Sequence, residues 1–323
     1  MFNKAFKDKK VVFLGDSGVY DGRYLHNMRA YMHDKEDRCY LINRGIGGNR
    51  ADMIDCLIED EVFSLNPDYC FICFGVNDMG AWLYDSRKEI TPEILEEREK
   101  RDQSFYEGNR RFIKYCKDHG VKPVLMPAYM CNEDLAEVSG IKTLGDNKEK
   151  AQLLDSNFYK RQNLKNINDK LRVYSDFLRE LAKQEKVDFI DLFEISYKTI
   201  KGRTDVWGPD AVHMTDRGHQ WIAKLILEYL GYENVGLEFT HGEGASEVWT
   251  TERRERNPYF IIYNMFNAVN GTFTEEEKIQ ECKKLIAQEG QEKWLIGSCN
   301  AFINDRHNLE ENKKAYLDAV MKY

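Results

Sequence analysis

The chain has 323 residues, 42% of them hydrophobic, enough for one large domain, or a domain with an appendage, around a sizeable core. Its 47 basic and 55 acidic residues leave a formal net charge of −8. That balance argues against nucleic acid or an anionic membrane as a main partner, because both need a basic face.

The opening "MFNKAFKDKK" holds charge but no apolar core of a leader, and no run further on is long enough to span a bilayer. Eight cysteines are scattered along the chain, and only Cys70 and Cys73 form a C-x-x-C. They fall in "YCFICFG", which reads as a strand, where residues three apart face opposite sides. Buried free thiols, a reducing compartment and a cytoplasmic location are the expectation.

Five short apolar runs read as strands: 11–15, 39–45, 69–75, 121–128 and 187–193. Each is nearly continuous in apolar character, as parallel strands covered on both faces are. Helical periodicity fills the gaps. Residues 103–118 carry Phe105, Phe112, Ile113 and Cys116 near one face, and 164–183 carry Leu164, Ile167, Leu171, Tyr174, Phe177, Leu178 and Leu181. Residues 216–230 form a third helix that ends at Gly231. The alternation predicts a doubly wound parallel sheet between two helical layers. Segments 79–102 and 129–160 read as long polar loops, either lids or binding loops or plain surface insertions.

Past Gly231 the alternation stops. Residues 232–258 look irregular, and 259–266 are strongly apolar. Thr274 and Glu277 then form a capping box that opens a helix with Ile279, Cys282, Leu285 and Ile286 on one face. One or two more helices fit 291–322. The reading is a main domain over 1–231 and a mainly helical extension over 232–323, packed on it. A homo-oligomer through that extension stays open.

Ligands in such a sheet bind outside the carboxyl ends of the strands. The residues just after each strand are therefore informative. Gly15-Asp16-Ser17-Gly18 comes after the first, "NRGIGGNRADM" after the second, Gly75-Val76-Asn77-Asp78 after the third, and "GPDAVHMTDRGH" after the fifth. A serine hydroxyl needs a base to become a nucleophile. His213 can take its proton, and Asp210, three residues earlier, can fix the imidazole tautomer. A tetrahedral intermediate needs donors for its oxyanion. The Ser17 and Gly48 backbone N–H groups and the Asn77 amide are candidates, with Gly47 competing for the glycine role. Asp16 and Asp78 read as structural carboxylates that bond loop backbone. Trp82, Tyr106, Asn109 and Arg161 are candidate substrate-binding residues, as are Tyr84, Tyr129, Gln162 and Asn163; aromatics suit the apolar face of a sugar. His219 and Asp216 do not read as a metal site, because a helix turns His219 away from the loop. "RGIGGN" has Arg50 where a dinucleotide fingerprint needs glycine, and no G-x-S-x-G is present.

Taken together, Gly15-Asp16-Ser17, Gly48 in "GIGGN", Gly75-Val76-Asn77-Asp78 and Asp210-Ala211-Val212-His213 resemble the four blocks of the SGNH hydrolases, the GDSL esterase and lipase family. The resemblance covers roughly residues 10–231 and marks 1–231 as the hydrolase domain. It implies a flavodoxin-like three-layer α/β/α sandwich with a parallel sheet, no metal and no organic cofactor. It makes Ser17 the nucleophile, His213 the base, Asp210 its orienter, and Gly48 and Asn77 oxyanion donors beside Ser17. Many members carry leucine after the serine, where this chain has Gly18. The expected activity is hydrolysis of a short-acyl ester, with a small-molecule or glycan ester as the partner. An acyltransferase on the same triad, or a glycan-binding or scaffold protein, are the alternatives.

Overall fold

The computed structural model describes residues 6–84, 89–133, 166–208, 211–236, 247–249, 251, 274–291, 293–305 and 309–323. Five parallel strands, β1 (Lys10–Gly15), β2 (Tyr40–Gly45), β3 (Tyr69–Phe74), β4 (Lys122–Pro127) and β5 (Asp188–Phe189), form one sheet in the order β2-β1-β3-β4-β5. That order is the flavodoxin-like one. Every β3 side chain is buried, as a central strand covered on both faces requires.

Helices flank the sheet on both sides. Between β1 and β2 lie α1 (Ser17–Tyr20) and α2 (Arg23–Asp34); α3 (Ile54–Glu61) and α4 (Val76–Met79) flank β3, and α5 (Pro92–Asp118) leads into β4. Then come α6 (Ile167–Glu185), α7 (Leu192–Thr199) and α8 (Asp216–Tyr229). The C-terminal region adds α9 (Glu275–Ala287), α10 (Lys293–Asp305) and α11 (Leu309–Met321). The pairs α2–α8 and α5–α6 pack side by side.

Two sequence expectations need correction. The fifth strand is short, because Asp191 caps a helix in the middle of "VDFIDLF": its carboxylate accepts from Glu194 N at 3.1 Å, and Leu192 and Phe193 are buried from α7. Segment 79–102 is not all loop. Thr91 and Pro92 start α5 there, and its first turns are helical without an apolar stripe. Good helix formers and pairs such as Glu97–Arg101 suffice. The apolar run at 259–266 and most of 129–160 lie outside the described residues.

Strand ends are level where it matters. Gly15 sits opposite both Gly45 and Cys73. A Cβ on Gly45 would stand 2.1 Å from the Tyr20 backbone nitrogen, so only glycine lets α1 lie against the end of β2.

The free edge of β2 is sealed by side chains. Arg29 donates to Leu41 O, the Tyr316 hydroxyl accepts from Asn43 N at 3.0 Å, and the Asn43 carboxamide accepts from Gly45 N at 2.8 Å. Tyr316 comes from α11 and is fully buried, with the Arg44 guanidinium over its ring. Such cover removes a template for edge-to-edge pairing. Tyr316→Phe leaves a buried strand N–H without its acceptor, so urea unfolding is expected to register a loss of about 1–3 kcal/mol; a midpoint equal to the wild type contradicts this role for the hydroxyl.

Candidate active site

Ser17 is the first residue of α1, shortly after β1. Asp16 is the N-cap, and its carboxylate accepts from Gly18 N at 2.9 Å. This cap turns the chain sharply out of the strand and leaves the serine half-exposed at the sheet's end. As the first helical residue, Ser17 has a backbone N–H with no acceptor inside the helix.

His213 arrives from the far end of the sequence. Its Nε2 lies 2.7 Å from Ser17 Oγ, across 196 residues of chain. The loop that carries it is tied at several points: Gly208 N donates to His213 O at 2.7 Å, Asn132 N to Ala211 O at 2.9 Å, and Trp207 bridges Met214. Ala211 takes a left-handed backbone with φ of 63°, which a non-glycine residue adopts only when its surroundings hold it there. Asp210 lies outside the described residues.

The remaining polar groups surround this pair. Asn77, in the first turn of α4, directs its amide Nδ2 at Asn49 O (3.2 Å) and Asp16 Oδ2 (3.4 Å). Gly48 is exposed with φ of 78°, whereas Gly47 is buried. Asp78 accepts from Ala51 N at 2.7 Å and thereby anchors the turn after "GIGGN". Both carboxylates therefore hold loop backbone, the part the sequence suggested for them.

Of the suggested substrate-binding residues, Trp82 lies in the short helical turn Ala81–Tyr84, and Tyr106 is half-buried with its ring 4.2 Å from that of Phe177. Asn109 is a correction: it is buried, and its amide donates to Phe105 O one turn back along α5. Its amide nitrogen is engaged within the helix. Arg161, Gln162 and Asn163 lie outside the described residues. Tyr129 is closer to the nucleophile than the sequence could say. Its hydroxyl stands 3.2 Å from the point a Cβ on Gly18 would occupy, and its ring is 5.9 Å from that of Trp207. Sequence reasoning passed over Trp207, although "WGPD" places it directly ahead of the Asp-x-x-His block.

His219 is buried, lies parallel to the Tyr24 ring and faces Asp21 at 3.3 Å. Burial lowers its pKa to about 4, so it is a neutral core group at neutral pH. Among the described residues, no group of three or more His, Cys, Asp or Glu side chains could hold a metal ion. None of the described helices is long and apolar enough to cross a membrane. All eight cysteines are free, and seven are buried.

A family model for the GDSL-like lipase/acylhydrolase family matches residues 13–221. The chain belongs to that family. By family it is a carboxylic ester hydrolase. Two solved structures resemble it in fold. A gut microbial diltiazem-metabolizing enzyme, BT4096, aligns with a TM-score of 0.68 at 15% identity, over 97% of this chain and 94% of its own. An acetyl-xylooligosaccharide esterase of Geobacillus stearothermophilus, Axe2, aligns with a TM-score of 0.51 at 18% identity, over 72% of this chain and 99% of its own. In sequence, an uncharacterized lipoprotein of Bacillus subtilis, YqeF, is 31% identical over 86 residues, which span 27% of this chain and 31% of that lipoprotein.

Burial gives the site a pH signature. Desolvation raises the pKa of Asp16 to about 6 and that of Asp78 to about 7, while the bonds from Gly18 N and Ala51 N pull the other way. A free carboxyl loses its proton near pH 4. Between about pH 4 and 7 the folded hydrolase therefore holds protons that the unfolded chain has already given up, and stability falls as pH rises. Asp78→Asn keeps an acceptor for Ala51 N and removes the cost of ionisation. Thermal unfolding from pH 5 to 8 is expected to decline less steeply in this variant than in the wild type. Parallel declines would show that Asp78 does not carry the effect.

Proposed function

We propose that the protein cleaves carboxylic esters of short acyl groups through an acyl-enzyme on Ser17. The observation that carries this reading is the 2.7 Å contact between Ser17 Oγ and His213 Nε2. At that distance the imidazole takes the hydroxyl proton as Oγ attacks the ester carbon. The carbonyl oxygen becomes an oxyanion, which the Ser17 and Gly48 N–H groups and the Asn77 amide receive. One Asn77 hydrogen stays on Asn49 O, and the long 3.4 Å contact with Asp16 is the one exchanged for the oxyanion. His213 then gives its proton to the departing alcohol. Water enters, loses a proton to His213 and attacks the acyl carbon, and the proton returns to Ser17 as the acid leaves. Asp210 is assigned to orient the imidazole through its other nitrogen.

A small acyl group is favoured by the aromatic side chains packed beside Gly18, the residue next to the nucleophile. Tyr129 approaches Gly18 as closely as a side chain there would permit, and Trp207 backs it. An acetyl ester of a carbohydrate or another polar alcohol fits this reading, and it is in keeping with the acetyl-xylooligosaccharide named for Axe2.

Ser17→Ala is expected to abolish hydrolysis of p-nitrophenyl acetate while circular dichroism is unchanged. Undiminished turnover in that variant would remove Ser17 from the mechanism. Tyr129→Ala enlarges the acyl side. The ratio of p-nitrophenyl butyrate to acetate turnover is expected to rise about tenfold, the usual worth of a methylene or two in a pocket. An unchanged ratio places the size limit elsewhere.

A further inference from the structure

The corner between α1 and α2 carries a cluster that the reaction scheme does not use. Arg23, the first residue of α2, sends its guanidinium back toward α1 and across to the loop before α8. Nε donates to Asp21 Oδ1 (2.5 Å) and Nη2 to Asp21 Oδ2 (2.8 Å), a two-point grip on one carboxylate. The same Nη2 donates to the Met214 carbonyl (3.0 Å), and Nη1 to Asp216 Oδ1 (2.5 Å). Both ends of this bridge lead directly to the reacting pair. Asp21 closes α1, and its backbone N–H donates to Ser17 O at 3.1 Å. Met214 is next to His213 in the chain, and Asp216 opens α8 behind it.

We propose that Arg23 is a positioning residue that sets the Ser17–His213 distance by binding the nucleophile's turn and the histidine's loop to one rigid guanidinium. This rests on the assignment of Ser17 and His213 as nucleophile and base. Among the described residues no backbone hydrogen bond joins the two segments: α1 hangs from β1, and the histidine loop comes after β5, the strand at the other edge of the sheet from β2. The planar fork supplies a fixed angle as well as charge. Four contacts to three groups on two segments are made at once, two of them a bidentate grip on Asp21 that the three donors of a compact lysine ammonium do not reproduce. The other titratable groups around it are consistent with an anchor rather than a switch. Asp21 also faces the buried His219, whose imidazole is neutral at working pH, and burial opposes any change of charge there. Burial alone would raise the pKa of Asp21, but the hydrogen bonds and charge of Arg23, with a contribution from His219, together outweigh it and hold the carboxyl below its ordinary value.

The full-length protein and its Arg23→Ala and Arg23→Lys variants are compared in two assays: the second-order rate of labelling by a fluorophosphonate probe, and kcat and KM for p-nitrophenyl acetate. A misplaced base slows attack without touching the substrate. Both variants are expected to lose about tenfold or more in labelling rate and in kcat, with KM within about twofold. Guanidinium chloride at tens of millimolar is expected to restore activity to the alanine variant and not to raise that of the wild type. If the alanine variant does not give the wild-type circular dichroism spectrum, the lysine variant decides, since it keeps the positive charge. Wild-type labelling and turnover in a folded variant overturn the role of Arg23. A lysine variant equal to the wild type, with a slow alanine variant, also overturns it, in favour of charge alone. A wild type that the probe does not label instead overturns the reading of Ser17 as an activated nucleophile, a distinct failure.

Discussion

The hydrogen bond between Ser17 Oγ and His213 Nε2 constrains everything else in this molecule. The two groups come from opposite ends of a doubly wound domain, and neither sits on a strand. A contact of that length must be built from the backbone that leads to it. On the serine side this is the step from Gly15 through the Asp16 cap into a four-residue helix. On the histidine side it is a loop pinned by Gly208, Asn132, Trp207 and Arg23. The glycine at the end of β2 belongs to the same requirement. Without close approach of α1 to Gly45, the serine would stand away from the rim where the histidine arrives.

The same site explains why the loops hold so many buried polar groups. Asp16 and Asp78 lie beside the reacting pair, almost wholly out of water. Each is costly to ionise there, and each accepts a backbone N–H in a tight turn. Asp16 further reaches Asn77 at 3.4 Å, so the turn that holds the nucleophile and the helix that carries the amide share one carboxyl group. A carboxyl is suited to this because two oxygens at a fixed angle can bind two segments at once. The outlay in desolvation secures geometry, which is the usual trade at a preorganised site.

How much of this was legible in the sequence depends on how local each signal is. Strand ends are punctuated by Gly15, Gly45 and Gly75, so the sheet and its rim could be read, as could the capping box at Thr274 and Glu277 and the buried thiols of β3. Where the signal was apolar character alone, it misled: "VDFIDLF" holds a strand end, a cap and a helix start in seven residues. Where a helix has no apolar stripe, as in the first turns of α5, periodicity had nothing to detect. At the site, residue types with chemistry to offer were visible, but their neighbours were not. Asn109 looked available and is buried, with its amide nitrogen bonded to its own helix. Arg23 left only "YDGR" as a trace, because its partners at Met214 and Asp216 are nearly two hundred residues away. Gly18 was the visible departure from the family pattern, and a Cβ there would come within 3.2 Å of the Tyr129 hydroxyl, just past the end of β4.

The C-terminal region shows the same interdependence at the scale of the fold. In sequence, the alternation of strands and helices ends near Gly231, and a helical annex comes next. In three dimensions the core does not observe that division. Tyr316, Ala319 and Val320 of α11 belong to the same buried cluster as β1 and β2, whereas Ile279, Cys282, Cys299 and Phe302 of α9 and α10 form a small cluster of their own. The last helix is therefore closely joined to the sheet, although it is the most distant in sequence. It covers β2 beside the strand end that supports α1, so the annex and the nucleophile's turn share a strand. Asn43 joins them: its backbone N–H donates to Tyr316, and its side chain donates to Tyr20 O at the end of the serine helix. The last helix and the end of the serine helix are thus linked through one asparagine and two hydrogen bonds.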